Sequence, residues 1–469
     1  MAPIQPDRAR PSLPDLPIEL LKTIVQDLKD LAEDKDEDED EDWVLELRAL
    51  SLVSKALTAP CQEALFDVAD MEPPKFRFGK DIYRGSDTLA TFPQLIKQSP
   101  HLASYIRDFT ITFPLDPESK LTGEVGNEIA GALEHVTNLT GLSIQHEDET
   151  YRKAWVISVP GMRDSMQFGR LGSALGGLLG PRLQHLLLRN VTVSVADLAR
   201  CTSLEGLHLI NAGLDEDPNP IDFEDAGRIK LKTLEITGKT SLTDILEARL
   251  IKNRPLFDFS HLEDLTIPLR SRESLEKQLP EHILPHARRL RSLYLHAAHP
   301  YAVSQDDDPP CPNSLTYLNP ASFSTLSHLT LSIEFDITDL DAVIRDPYFG
   351  HFADGSIRQF EALEALEVEV LIGGAEVRHV NIPQSCSNQW AALDTALVPG
   401  LSEEEALMHR LKSVRVLFRM DEPDIPPAHV FNDAMQRVMR RRFPRLTELN
   451  EKGRLEFSLM TEMQFPRSR

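Results

Sequence analysis

Few side chains in this sequence stand at spacings that could make or break a bond. His282 and His286 are one helical turn apart, and His296 and His299 follow, so four imidazoles could gather on a metal ion. Pro280 and Pro285 break that helix, and no cysteine or carboxylate sits at motif distance, so no metal site is expected. Gly169, Gly172, Gly176, Gly177 and Gly180 enrich one stretch, but the G-x-G-x-x-G order of a phosphate cradle is missing. That stretch reads as a flexible or closely packed connection. No G-x-x-x-x-G-K-[ST], G-x-S-x-G or H-E-x-x-H motif occurs. Cys61 falls on an apolar stripe, where a free thiol behaves as a small hydrophobe. The expectation is a chain with no cofactor and no catalysis of its own, whose work is binding.

Composition narrows what is bound. The 469 residues carry 74 acidic and 50 basic side chains, a net charge of −24, which disfavours nucleic acid as a partner. The one concentrated basic stretch runs from Arg437 to Arg445 around Arg440-Arg441-Arg442. It reads as the basic end of a helix, with a nuclear-import signal as the alternative. Cys61, Cys201, Cys311 and Cys386 form no C-x-x-C pair, which argues against zinc ribbons and disulfide frameworks. No apolar leader opens the sequence, and no run approaches the ~20 apolar residues of a membrane span. A protein of the cytoplasm or nucleus, without a membrane partner, is expected.

Binding must then be positioned by two sequence patterns. The first occupies residues 13–70, behind a disordered tail at 1–12. Pro17 suits a helix start and Glu19 its first turn, and Leu20, Leu21, Ile24, Val25, Leu28 and Leu31 follow at helical spacing. Leu47, Leu50, Val53 and Leu57 repeat the period. A third segment starting near Pro60 aligns Cys61, Ala64, Leu65 and Val68. Three short packed helices are predicted. Between the first two, residues 33–42 hold nine carboxylates in ten positions and read as a disordered surface insertion. It lacks the glycine and spacing of an EF-hand loop.

The order Leu16-Pro17-x-Glu19-Leu20-Leu21, Ile24, Leu28, then Leu47-Arg48-x-Leu50-Ser51-Leu52-Val53-Ser54-Lys55-x-Leu57 and Leu65-Phe66 resembles the F-box. An ordinary F-box has a shorter and less charged connection than 33–42. The resemblance implies a Skp-type adaptor as partner, and through it a cullin–RING complex that transfers ubiquitin. It also implies an adaptor-facing surface of Leu16, Pro17, Leu20 and Leu21, with Leu50, Val53 and Leu57 near it or in the core.

The second pattern follows a linker at 71–100 and fills 101–460, before a tail at 461–469. A phrase L-x-x-L-x-L, with conservative substitutions, occurs ten times, starting at Ile106, Leu139, Leu183, Leu204, Leu231, Leu262, Leu290, Leu326, Leu363 and Leu411. Leu455-x-Phe457-x-Leu459 reads as a final strand. Helical signals lie between several copies, as in Thr240–Leu250. Strands alternating with helices mean parallel strands joined by crossovers. The predicted class is α/β, with a three-helix front followed by stacked units that share a core.

The repeat resembles an irregular leucine-rich-repeat solenoid. The spacing of 21–48 residues departs from the family's usual 20–29. Where that family places an asparagine or cysteine, this chain has Val191, Ala212, Lys239, Arg270 and Ala298. Such a solenoid lines its concave face with strand residues. Arg189, His208, Tyr294, His296, Glu367 and Arg415 are therefore the candidate contacts to a protein target, with Tyr294, Arg189 and Arg415 as preferred anchors. Together the two resemblances imply a substrate-recognition subunit of a Skp–cullin–F-box ubiquitin ligase. The alternative is a repeat scaffold without a ubiquitin role.

Overall fold

Each of the ten phrases ends in a strand, and within each of the chain's two units these strands run parallel. The computed structural model describes residues 16–33, 42–71, 88–113, 124–146, 155–157, 169–215, 228–237, 249–250, 254–270, 283–298, 314–336, 356–373, 387–398, 410–420, 441 and 443–463. The chain divides into two units, Met1–Ser203 and Leu204–Arg469.

The first unit opens with α1 (Ile18–Glu33), α2 (Asp42–Val53) and α3 (Lys55–Phe66). It continues as β1 (Val68–Met71), α4 (Thr88–Gln98), β2 (Asp108–Phe113), α5 (Glu124–Leu133), β3 (Gly141–His146), α6 (Gly169–Leu178) and β4 (His185–Arg189). The strands pair in the order β1-β2-β3-β4. Helices α4, α5 and α6 pack side by side in a second layer. The second unit carries β5 (Gly206–Ile210), β6 (Thr233–Thr237), β7 (Asp264–Arg270), β8 (Ser292–Ala298), β9 (His328–Asp336), β10 (Ala365–Gly373), β11 (Ser413–Met420) and β12 (Glu456–Met463), paired in that order. Short 3₁₀ turns and the helices α7 (Ser387–Leu397) and α8 (Pro444–Glu451) lie between them.

The apolar period explains the register. Leu207, Leu234, Leu265, Leu293, Leu329, Leu366 and Val414 stand opposite one another across the ladder, and all are buried. Two residues on, Leu209, Ile236, Ile267, Leu295, Leu331, Val368 and Val416 form a second buried row. The first apolar residue of every phrase, from Ile106 to Leu411, is also buried. No single repeat could bury three such residues alone, so stacking supplies the core.

One backbone device recurs from step to step within each unit. The carbonyl of the residue just before a strand accepts two successive amides from the next repeat. The Glu205 carbonyl takes the N–H of Lys232 at 2.7 Å and of Thr233 at 3.0 Å. Lys232 does the same for Glu263 and Asp264, and Glu263 for Arg291 and Ser292. Arg291, Ser327 and Glu364 continue the series, and Asp67, Arg107 and Thr140 repeat it in the first unit. Charged side chains at this position pair between neighbouring repeats: Lys232 with Glu205 at 2.7 Å, Arg291 with Glu263 at 3.5 Å, Lys412 with Glu364 at 2.6 Å. Each exposed pair contributes little by itself.

The structure differs from the sequence reading in several places. The second helix ends at Val53 instead of running through Leu57. Ser54 is extended and its Oγ accepts the Ala56 amide at 3.2 Å, which starts α3 at Lys55, five residues ahead of Pro60. Pro60 sits inside α3, where its ring nitrogen has no hydrogen to donate. The sheet begins at Val68, inside the segment assigned to the helical domain, and β1 pairs with β2 through Ala69↔Phe109 and Met71↔Ile111. The stretch 71–100, read as a linker, contains α4. The glycine-rich stretch is α6. Arg249–Leu250, placed in a helix from sequence, pairs as a short strand with Arg254–Pro255. The tails 1–12 and 464–469 and the acidic positions 34–41 lie outside the described residues.

The missing asparagine ladder has a partial substitute one residue earlier. Asn190 follows β4 with φ of 57° and is buried; its amide donates to the His146 carbonyl of the preceding repeat at 2.8 Å. Asn211 follows β5 with φ of 50°, a left-handed conformation that asparagine tolerates.

A buried carboxylate fixes the last helix. Asp394 on α7 accepts the amides of Leu446 at 3.0 Å and Arg445 at 3.2 Å, at the start of α8, whose own N-cap, Phe443, has no capping oxygen. Burial pushes this carboxyl above the usual range, and the two amides pull it back. Asp394→Ala is expected to cost about 1–2 kcal/mol in urea unfolding. Asp394→Asn, which keeps an acceptor, should retain most of that stability.

Candidate functional site

The helical front splits its apolar residues into two sets. Leu21, Val25, Leu47, Leu57 and Cys61 form its core, with Leu16, Leu50, Ala56, Ala64 and Leu65 partly buried against them. The second set faces water. Leu20 and Ile24 share one face of α1, and Ile18 is exposed beside them. Leu45 and Leu52 share one face of α2; Leu52 is 87% exposed and Val53 75%. Of the residues assigned to an adaptor surface, Pro17, Leu20 and Val53 are exposed, Leu16 and Leu50 half-buried, and Leu21 and Leu57 inside. Sequence spacing alone could not divide Leu20 from Leu21, because apolar residues stand at both positions.

A charged seam ties this front to the first strands. Glu63 on α3 meets Lys22 of α1 at 2.6 Å and Arg107 at 3.3 Å; Asp67 meets Arg107 at 3.5 Å and Lys29 at 3.8 Å. The Asp67 carbonyl accepts the amides of Arg107 and Asp108. Lys22 above all, with Arg107, holds the Glu63 carboxyl below its ordinary value of 4.5. A depressed acid stabilises the fold above its unfolded value and loses that contribution as pH falls through the folded one. Acidification from about pH 4.5 downward should therefore lower the melting temperature more in the parent chain than in Glu63→Gln. Thermal melts at stepped pH read this directly.

The polar face of the second unit's sheet is already paired within the chain. The Tyr294 hydroxyl donates to Glu369 Oε2 at 2.6 Å, across the intervening strand β9. Glu369 is 4% exposed, and its other oxygen meets Arg419 Nη2 at 3.2 Å. Burial, then the Glu369 carboxylate, pushes the Tyr294 phenol well above its usual value. Arg415 faces Glu367 at 3.6 Å, and His208 Nδ1 lies 2.8 Å from Glu235, whose carboxyl is lowered by that hydrogen bond. Arg189 is half-buried at the end of β4, in the first unit. His296 stands in register with Pro268 and Ser332, and its side chain lies outside the described part.

Tyr294 and Arg415 are thus not freestanding anchors: each meets a carboxylate of the same sheet. Arg419 escaped the sequence reading, which stopped each strand soon after its phrase. Strand β10 runs on to Gly373 and β11 to Met420, and the continued alternation from Arg415 through Leu417 was the available signal.

Among the described residues no group of three His, Cys, Asp or Glu could hold a metal ion. His286 is exposed, and His282 and His299 lie outside the described residues. Cys61 and Cys201 are free and buried. No helix among the described residues is long and apolar enough to cross a membrane. No protein-family model matches the chain, and no curated protein matches it.

Proposed function

We propose that this chain is a substrate-recognition subunit of a Skp–cullin–F-box ubiquitin ligase. In this reading α1–α3 dock onto a Skp-type adaptor, which leads to a cullin–RING complex, and the parallel sheet presents a protein target. The observation that supports it is the divided helical front: a small core of Leu21, Val25, Leu47, Leu57 and Cys61, with Leu20, Ile24, Leu52 and Val53 left in water. Exposed large aliphatic side chains on adjacent helices are the mark of a surface that another polypeptide covers. The order Leu16-Pro17-x-Glu19-Leu20-Leu21 then supplies the identity of that polypeptide by resemblance. The chain does no bond chemistry here; it raises the local concentration of a target lysine near the ubiquitin-loaded enzyme.

The test is co-elution of the full chain with a purified Skp-type adaptor. Leu20→Asp and Val53→Asp should each weaken binding by roughly a hundredfold, the effect of removing a central apolar anchor. Met460→Asp, on an exposed residue of β12 in the second unit, should leave it unchanged. If the parent chain elutes apart from the adaptor, the ligase reading is lost and a repeat scaffold is left.

A further inference from the structure

The first unit holds a cleft of about 510 Å³ whose polar lining runs against the charge of the whole chain. Among the described residues, Lys22, Arg107 and Arg182 face it with a single carboxylate, Glu63. In a protein of net charge −24 that local excess is unusual. Glu63 is shared by Lys22 at 2.6 Å and Arg107 at 3.3 Å, and Arg107 also meets Asp67 at 3.5 Å.

Arg182 is the more telling group. Its Nη1 donates to Asn138 Oδ1 at 3.1 Å and to the Thr137 carbonyl at 3.5 Å. Asn138 is itself held by donation to the Ser104 carbonyl at 2.7 Å. Neutral oxygens therefore orient the guanidinium, and no carboxylate among the described residues is paired with it. A guanidinium fork fixed in this way matches an oxyanion better than a water molecule. Tyr105 and Ser104 complete the wall.

We propose that this cleft binds a phosphoryl dianion, either free phosphate or a phosphate monoester. Such a group carries about −1.5 to −2 charges near neutral pH and three acceptor oxygens, which suits a cleft where Lys22, Arg107 and Arg182 meet Glu63, with Asp67 against Arg107. A lone carboxylate ligand brings half that charge. The site is independent of the exposed apolar residues on α1 and α2.

The experiment is a calorimetric titration of the full chain with inorganic phosphate at constant ionic strength. Saturable binding is expected. Arg182→Gln and Lys22→Gln should each weaken it about tenfold, the loss of one charge-assisted hydrogen bond. Lys412→Gln, a cation of the second unit, should leave it unchanged. Both variants replace exposed side chains, and a melt without phosphate verifies that each is folded. Glycerol phosphate and a phosphoserine peptide identify the source. Tighter binding of the peptide assigns the cleft to a modified polypeptide, and equal or tighter binding of the small ester assigns it to a metabolite. No saturable uptake by the parent chain, or undiminished affinity in folded Arg182→Gln, overturns the proposal.

Discussion

Replacing Leu331 with alanine is expected to lower the stability of the chain by about 2–5 kcal/mol. Leu331 is fully buried in β9, between Leu295 and Val368 of the neighbouring strands, which are buried as completely. Removing three carbon atoms there costs their transfer out of water and leaves a void that two flanking strands, fixed by their ladders, cannot close. At the scale of the second unit this lowers the melting temperature by roughly 5–15 °C. Leu52→Ala is the contrast: the side chain is 87% exposed, and its loss should change stability by no more than about 0.5 kcal/mol. Urea unfolding of the two variants measures both. Similar losses would show that Leu52 is not the solvent-facing residue described above. Because the repeats pack mainly on their neighbours, hydrogen exchange in the Leu331 variant should rise first in β8, β9 and β10.

The second large effect is expected at Glu369. Truncation to alanine strands the Tyr294 hydroxyl and the Arg419 guanidinium together, at a cost of about 2–3 kcal/mol. The figure stays below that of a fully enclosed ion pair because the Arg419 side chain is 29% exposed and can turn toward water. Tyr294→Phe alone should cost less, since Glu369 keeps Arg419. A double-mutant cycle of the two should return a coupling of about 0.5–3 kcal/mol, as for residues in one network. Additive losses would mean that the 2.6 Å hydrogen bond contributes nothing to the fold.

Those residues also mark how far the sequence could be read. The strands were legible because each phrase couples one turning leucine to two alternating apolar residues, and a buried row tolerates nothing else. The first strand was missed because Ala69 and Met71 stand where other repeats have leucine, isoleucine, valine or phenylalanine. The break at Ser54 was missed because Leu57 keeps the spacing of the preceding helix, while the stop comes from a hydroxyl bonding its own backbone. Pairings across the sheet were beyond reach. Tyr294 and Glu369 are separated by 75 residues and meet only once the register is known. The same holds for Glu205, Lys232, Glu263 and Arg291, whose alternation becomes visible only when the repeats are superposed. In the helical front, the stripe predicted three packed helices, but which leucines turn inward depended on how α1 rotates against its neighbours.

Because one carbonyl at each step dictates where the following strand starts, the amount of chain in between is free to vary. Within each unit, phrases spaced 27–48 residues apart obey one lattice for that reason. A foreign peptide spliced into one of those intervals, clear of residues such as Glu205 or Glu263, would inherit two fixed mounting points. The protein is in that sense a display frame, whose grafts can be exchanged without rebuilding the shelf beneath them.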